Sequence, residues 1–274
     1  MTEGSRRYGI ASRKEGAARA TVLGRWALPW LVILVVLVVW QAVVAIGHVP
    51  DFVLPSPTAV LHSIWYNQSE LWSDTLTTGG ETLAGLAISV AIAVPIAVGF
   101  SYSRLLETAV YPLVVASQAV PKLAIAPLFI LWFGVGFQSK LLIAMLIAFF
   151  PTLVNTVAGL ATVPPESVYL VRSMGASEWQ IFVHVRMPYA LPSFFAGVKV
   201  ASTLAVIGAL IGEFVGATSG LGYTLLEANA NLQLDLVFAC IVLLSVLGIA
   251  LFYAIVLLER LVVPWASQRA EASR

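Results

Sequence analysis

Charge is scarce in this chain: 11% of its 274 residues are Asp, Glu, Lys or Arg, against about 25% in an ordinary soluble domain. Cysteine occurs once. Cys240 stands inside an apolar run, so an internal disulfide is excluded and the thiol reads as a small core residue. The three histidines, His48, His62 and His184, are too scattered to supply a His-based metal site. A phosphate-cradling loop needs glycines and a lysine followed by Ser or Thr, and none of Lys14, Lys122, Lys140 or Lys199 has that successor. The spans also lack clustered nucleophiles, acids or metal ligands, which argues against a membrane-embedded enzyme. No cofactor or catalytic group is therefore expected. With a net charge of +1, the overall balance points to neither nucleic acid nor an acidic partner.

What the chain has instead is apolar length. Hydrophobic residues make up 59% of it, more than a water-soluble fold could hide. Runs fall at roughly 27–47, 79–101, 109–133, 138–160, 191–216 and 235–258, each near the twenty residues that cross a 30 Å hydrocarbon core. The expectation is an all-α integral membrane protein of six transmembrane helices. The first run lacks a small-residue cleavage pattern before Gln41 and reads as an uncleaved helix. Six basic residues from Arg6 to Arg25 precede it, Arg104 lies between the second and third runs, Arg172 and Arg186 between the fourth and fifth, and Arg260, Arg269 and Arg274 follow the sixth. The loops on the other side offer only Lys140, so both termini are expected in the cytoplasm. The resulting division is a mobile cytoplasmic tail (1–26), a first helix (27–47), an extracytoplasmic loop (48–74) with an amphipathic stretch at 58–66, a membrane core (75–260) and a cytoplasmic tail (261–274).

The cytoplasmic loop 161–189 carries the most pattern. After Pro164 and Pro165, a helical stretch from Glu166 to Met174 breaks at Gly175, and a second runs from Ser177 to Val185 and is stopped by Pro188. Ser177 can cap the second helix, with Gln180 at the reciprocal position. Tyr169, Met174, Trp179, Ile181 and Phe182 are bulky for an exposed loop. Two readings stay open: an interfacial helix pair in the lipid headgroups, or a docking surface for a cytosolic partner.

The run Ser173-Met174-Gly175-Ala176-Ser177 through Met187-Pro188, followed by Ala190-Leu191-Pro192, resembles the cytoplasmic EAA loop of binding-protein-dependent ABC importer permeases. In that family the pattern is Glu-Ala-Ala, three residues, Gly, nine residues, Ile, one residue, Leu-Pro. Here Gly175 and Pro188 match, Val185 and Met187 are conservative replacements, and Arg172 fits what commonly follows the triplet. Tyr169-Leu170-Val171 stands where Glu-Ala-Ala would be. Leu54-Pro55-Ser56-Pro57, Pro121-Lys122, Trp132-Phe133-Gly134, Phe149-Phe150-Pro151 with Asn155-Thr156, Gly220-Leu221-Gly222-Tyr223 and Leu258-Glu259-Arg260 are similar to the branch importing nitrate, taurine, alkanesulfonates and similar compounds. The resemblance implies the type I importer fold, a second permease copy, two ATP-binding subunits that hold the ATP and magnesium, and an extracytoplasmic solute-binding protein. It also implies that Glu166, Tyr169, Arg172, Met174, Gly175, Ala176, Ser177, Phe182 and Pro188 belong to an ATPase-coupling loop. The resemblance further implies that Gly220, Gly222 and Tyr223 lie near the outer mouth of the pathway; from the residues alone they read as a plain turn.

Ionisable residues inside apolar runs are costly and therefore informative. Glu81 and Lys199 lie within reach of a span end and could snorkel. Lys122 follows Pro121 in the middle of the third helix and should face protein or a watery cavity. Glu213 is similarly deep, with Gly208, Gly212 and Gly216 on a close-packing face. Lys122 and Glu213, with Pro121 and Asn155, either line a solute path or form a buried structural network. A secondary transporter is the competing class. It would need coupling-ion sites at broken helices, often within paired repeats, and no repeat is visible.

Overall fold

The computed structural model describes residues 28–51 and 53–265; the expected tail 1–26, Arg269 and Arg274 lie outside them. The described residues are helical throughout, without a strand. In chain order the helices are α1 (Leu28–Ile46), α2 (Pro57–Tyr66), α3 (Gln68–Tyr102), α4 (Arg104–Ser117), α5 (Lys122–Phe133), α6 (Phe137–Ala161), α7 (Pro165–Ser173), α8 (Glu178–Ile181), α9 (Met187–Gly216), α10 (Leu221–Ala230) and α11 (Leu234–Val262). Five units are long and apolar enough to span a membrane, namely α1, α3, α6, the continuous Glu178–Gly216 and α11; the bent pair α4–α5 makes six if taken as one span.

The expected third helix, 109–133, is therefore two helices meeting at 93°. Proline has no N–H to continue the ladder, so the chain tightens before it. Gln118, Ala119 and Val120 donate to carbonyls three residues back at 3.1–3.2 Å, and α5 restarts after Pro121. The expected extracytoplasmic loop is largely helical as well: Ser56 caps α2, accepting from Ala59 N at 3.2 Å, and α3 begins at Gln68 rather than near 79.

In lipid the bundle gains nothing from hiding apolar surface between helices, so close approach of small residues must hold it together. α6 lies between α3 and α9 and crosses both at Ala144. A Cβ on Gly85 of α3 would sit 2.7 Å from Ala144 Cβ, and one on Gly208 of α9 would sit 2.6 Å from Ala144 Cα. Gly212 and Gly216 continue the α9 face against Lys140 and Ile130. Cys240 is buried in a cluster with Leu71, Val206, Leu221 and Leu244, as its apolar setting suggests. By contrast, α1 keeps only 6% of its most apolar window buried.

Candidate functional site

The first site is the loop between α6 and α9. α7 starts at Pro165, with Glu166 in its first turn, where a carboxylate suits the positive end of the helix. It ends in a Schellman motif: Gly175 N donates to Arg172 O at 3.0 Å and Ala176 N to Val171 O at 3.3 Å. This closure requires a left-handed residue, and Gly175 has φ +86°. Ser177 then opens α8 through a complete capping box with Gln180, as the spacing predicts. Across the bend, Arg172 Nε donates to Glu178 Oε1 at 3.0 Å.

The second half of the loop departs from expectation. Pro188 does not stop the helix, because a π-turn over Phe182–Arg186 widens it first, with Met187 N donating to Phe182 O. An i to i−5 turn moves the carbonyls that a proline ring would strike. α8, the π-turn and α9 consequently run as one 39-residue unit. No residue of α7 is buried. Tyr169 (67% exposed), Leu170 (64%), Met174 (77%) and Trp179 (72%) form an uncovered apolar surface around the Gly175 bend, while Ile181 is fully buried and Phe182 half-buried. A cleft of about 230 Å³ beside it is lined by Val168, Tyr169, Arg172 and Arg186.

The second site is a buried polar network at the other end of α3. Asp74, Thr78 and Glu81 share one face of that helix at helical spacing, and all three are buried. α10 is preceded by Gly220, which has no side chain to cap it, so the N–H groups at its start need partners from elsewhere. Gly220 N donates to Asp74 Oδ1 at 2.9 Å, Leu221 N to Thr78 Oγ1 at 2.9 Å, and Gly222 N to Glu213 Oε2 at 2.6 Å. Thr78 Oγ1 in turn donates to Glu213 Oε1 at 2.7 Å, and Thr224 Oγ1 donates to Asp74 Oδ2 at 2.5 Å. The carboxylates thus occupy the positive end of α10. Gly220 has φ +109°, and a Cβ there would strike the Glu213 carboxylate; one on Gly222 would lie 2.7 Å from Glu213 Oε2. Tyr223 is half-buried, and the charge and hydrogen bond of Glu227 hold its phenol above the usual range.

The expectations for Lys140, Glu81 and Lys122 are corrected here. Lys140 is not a loop residue; it lies in the first turn of α6, 5% exposed. Its ammonium is ion-paired with Glu81, so Glu81 does not snorkel. Lys199 pairs with Glu259 of α11 at 2.9 Å, both partly buried. Glu213 is 1% exposed inside the network, and Lys122 is not brought to it. Rather than sitting mid-helix, Lys122 is the first residue of α5; its Nζ donates to Gln118 O at 2.9 Å and lies 5.3 Å from the Phe150 ring centre. Asn155 donates its side-chain amide to Pro151 O at 2.9 Å and packs where α6 crosses Gly197. Asp74, Thr78 and Lys140 escaped sequence reasoning. The signal for the first two was a polar stripe, residues 74, 78 and 81, entering an apolar helix.

Residues 85–264 match the family model of the binding-protein-dependent transport system inner membrane component. The riboflavin transport system permease protein RibX of Chloroflexus aurantiacus is 39% identical over 85% of this chain and 88% of its own. The formylaminopyrimidine transport permease protein ThiX of Halalkalibacterium halodurans is 38% identical over 88% of this chain and 96% of its own. The taurine transport system permease protein TauC of Escherichia coli is 27% identical over 84% and 86%. Among solved structures, an inward-facing MetNI methionine ABC transporter superposes with a TM-score of 0.57 at 20% identity, covering 69% of this chain and 97% of that one. At that identity the likeness shows the fold.

Proposed function

Because the chain belongs to the family of binding-protein-dependent transport system inner membrane components, and is thus the permease subunit of an ABC importer, we propose that the Gly175 bend is its coupling surface. In this reading, separate ATP-binding subunits bind Tyr169, Leu170, Met174 and Trp179, and the chain itself hydrolyses no ATP. Two copies of the chain form the pathway, both termini lie in the cytoplasm of an inner membrane, and a solute-binding protein delivers cargo to the opposite face.

One observation carries the reading. An apolar surface with four large side chains 64–77% exposed stands around a bend fixed by a Schellman motif and a capping box; Tyr169, Leu170 and Met174 lie between the long spans, and Trp179 lies at the very start of the Glu178–Gly216 unit. A rigid aromatic and Met-rich projection is suited to a protein groove. An amphipathic helix pair lying in headgroups would not need so defined a bend.

The solute is proposed to be a small anion, supported by Lys122. That ammonium stands half-buried at the break between α4 and α5, with one carbonyl and one aromatic face against it, and no carboxylate is ion-paired with it among the described residues. Lys122→Met keeps most of the apolar stem. It should leave assembly intact and lower uptake of an anionic solute; normal uptake at equal expression removes Lys122 from the path.

The coupling surface is tested at Gly175. Valine there faces open space, so the left-handed backbone is what it strains, by about 1–2 kcal/mol. Gly175→Val should insert normally, judged by protease access to both termini, yet bind the ATP-binding subunits weakly and transport poorly. Uptake and ATP hydrolysis equal to the parent would leave the headgroup-helix reading as the better account.

A further inference from the structure

We propose that Arg186 and Tyr102 are positioning residues of transport: they clamp the loop to the end of α3, which carries loop displacement to the polar network around α10. The inference rests on the reading of the Gly175 bend as the coupling surface and goes beyond it to the path that the motion takes.

The clamp is built from the π-turn. Arg186, its last residue, lies with its guanidinium 5.1 Å from the ring centre of Tyr102, and Nη1 donates to Ser101 O at 3.3 Å. Both contacts fall on the final turn of α3, whose carbonyl end favours a cation. Arg186 Nε is buried and has no hydrogen-bond partner among the described residues, and ring and carbonyl both face the guanidinium charge. A row of aromatics runs beside it. Trp179, exposed at the proposed docking surface, stacks on Phe182 with centres 5.8 Å apart, and Phe182 lies 6.4 Å from Tyr102. Tyr102 Oη also approaches Glu178 O at 3.5 Å. The backbone of α8 and two side chains of the π-turn thus meet one residue pair at the end of α3.

α3 suits a transmitting element. Its 35 residues stay helical through Pro95, a length of roughly 50 Å at 1.5 Å per residue. At the far end, Asp74 and Thr78 hold the first N–H groups of α10, and Glu81 holds Lys140. Packed side chains and rigid elements with two arrangements are what carry coupling between distant sites. α4 begins two residues after Tyr102, so the same clamp also sets the start of the broken pair that carries Lys122.

The test uses the full chain assembled with its ATP-binding subunits and binding protein in liposomes, reading solute taken up per ATP hydrolysed. Arg186→Met and Tyr102→Leu should keep the ATP-binding subunits attached and hydrolysing, while uptake per ATP falls at least about fivefold. Tyr102→Phe keeps the ring and should retain the parent ratio, and Arg186→Lys should recover part of it. An unchanged ratio in Arg186→Met and Tyr102→Leu overturns the clamp, as does uptake falling only in proportion to hydrolysis. If Arg186→Met does not fold, the contrast between Tyr102→Leu and Tyr102→Phe decides alone. Failure of the underlying reading looks different, since there Gly175→Val remains attached and coupled whatever the clamp variants do.

Discussion

The two ends of α3 solve opposite problems. At Asp74, Thr78 and Glu81 every polar group is buried and must find a partner inside the protein. At Ser101 and Tyr102 the helix meets a loop whose ion pair, Arg172 with Glu178, is 47% and 54% exposed and can exchange with water. Geometry at the buried end is therefore enforced by the penalty for an unpaired charge. At the loop end it is enforced by the backbone, through a left-handed glycine and a capping box. A shared secondary structure hides this difference, and substitutions expose it.

The largest effect is expected at Lys140. Lys140→Met leaves Glu81 beside Glu213 without its cation, and breaking a buried pair from one side costs about 3–5 kcal/mol. Thermal unfolding in detergent should show it, and adding Glu81→Met should restore most of the loss. A single Lys140→Met variant as stable as the parent would erase the contrast between the two ends. Next comes Gly220→Ala, where a positive φ and the adjacent Glu213 carboxylate act together. The backbone alone costs about 1–2 kcal/mol, and release of α10 should appear as faster hydrogen exchange over 221–230. Smallest is Arg172→Met. This exposed pair is worth less than about 1 kcal/mol, so the melting temperature should barely move; a drop matching that of Lys140→Met would show that the loop charges are not water-exchangeable.

The same contrast marks what could be read from the sequence. The Gly175 bend and the Ser177 to Gln180 cap were legible because each is a local motif fixed by neighbours in the chain. The spans were legible too, since apolar length is a property of one segment. The 93° angle at Pro121 was not, because proline announces a break while packing against α6 and α9 sets its direction. Pro188 misled for a related reason: the π-turn that accommodates it follows no residue pattern in the handful of positions before it. Hardest was Lys140 with Glu81, where each residue alone resembles an end-of-span charge, and only the juxtaposition of α3 and α6 makes them a pair. The stripe 74, 78, 81 did carry a sign, but without α10 in view it named no partner.

The Lys140 to Glu81 pair also has a consequence for biogenesis. Glu81 enters the bilayer with α3, and Lys140, about sixty residues later in the chain, follows with α6 after an interval of several seconds at ordinary synthesis rates. During that time the carboxyl has no cation to meet, and an unpaired ionisable side chain is costly in hydrocarbon. Arrival of α6 then supplies the ammonium, and Glu213 follows later still with α9. Nascent α3 must therefore be sheltered, or held shallow, until its partner helix emerges, so this short stretch of polar residues places a timing requirement on the insertion machinery.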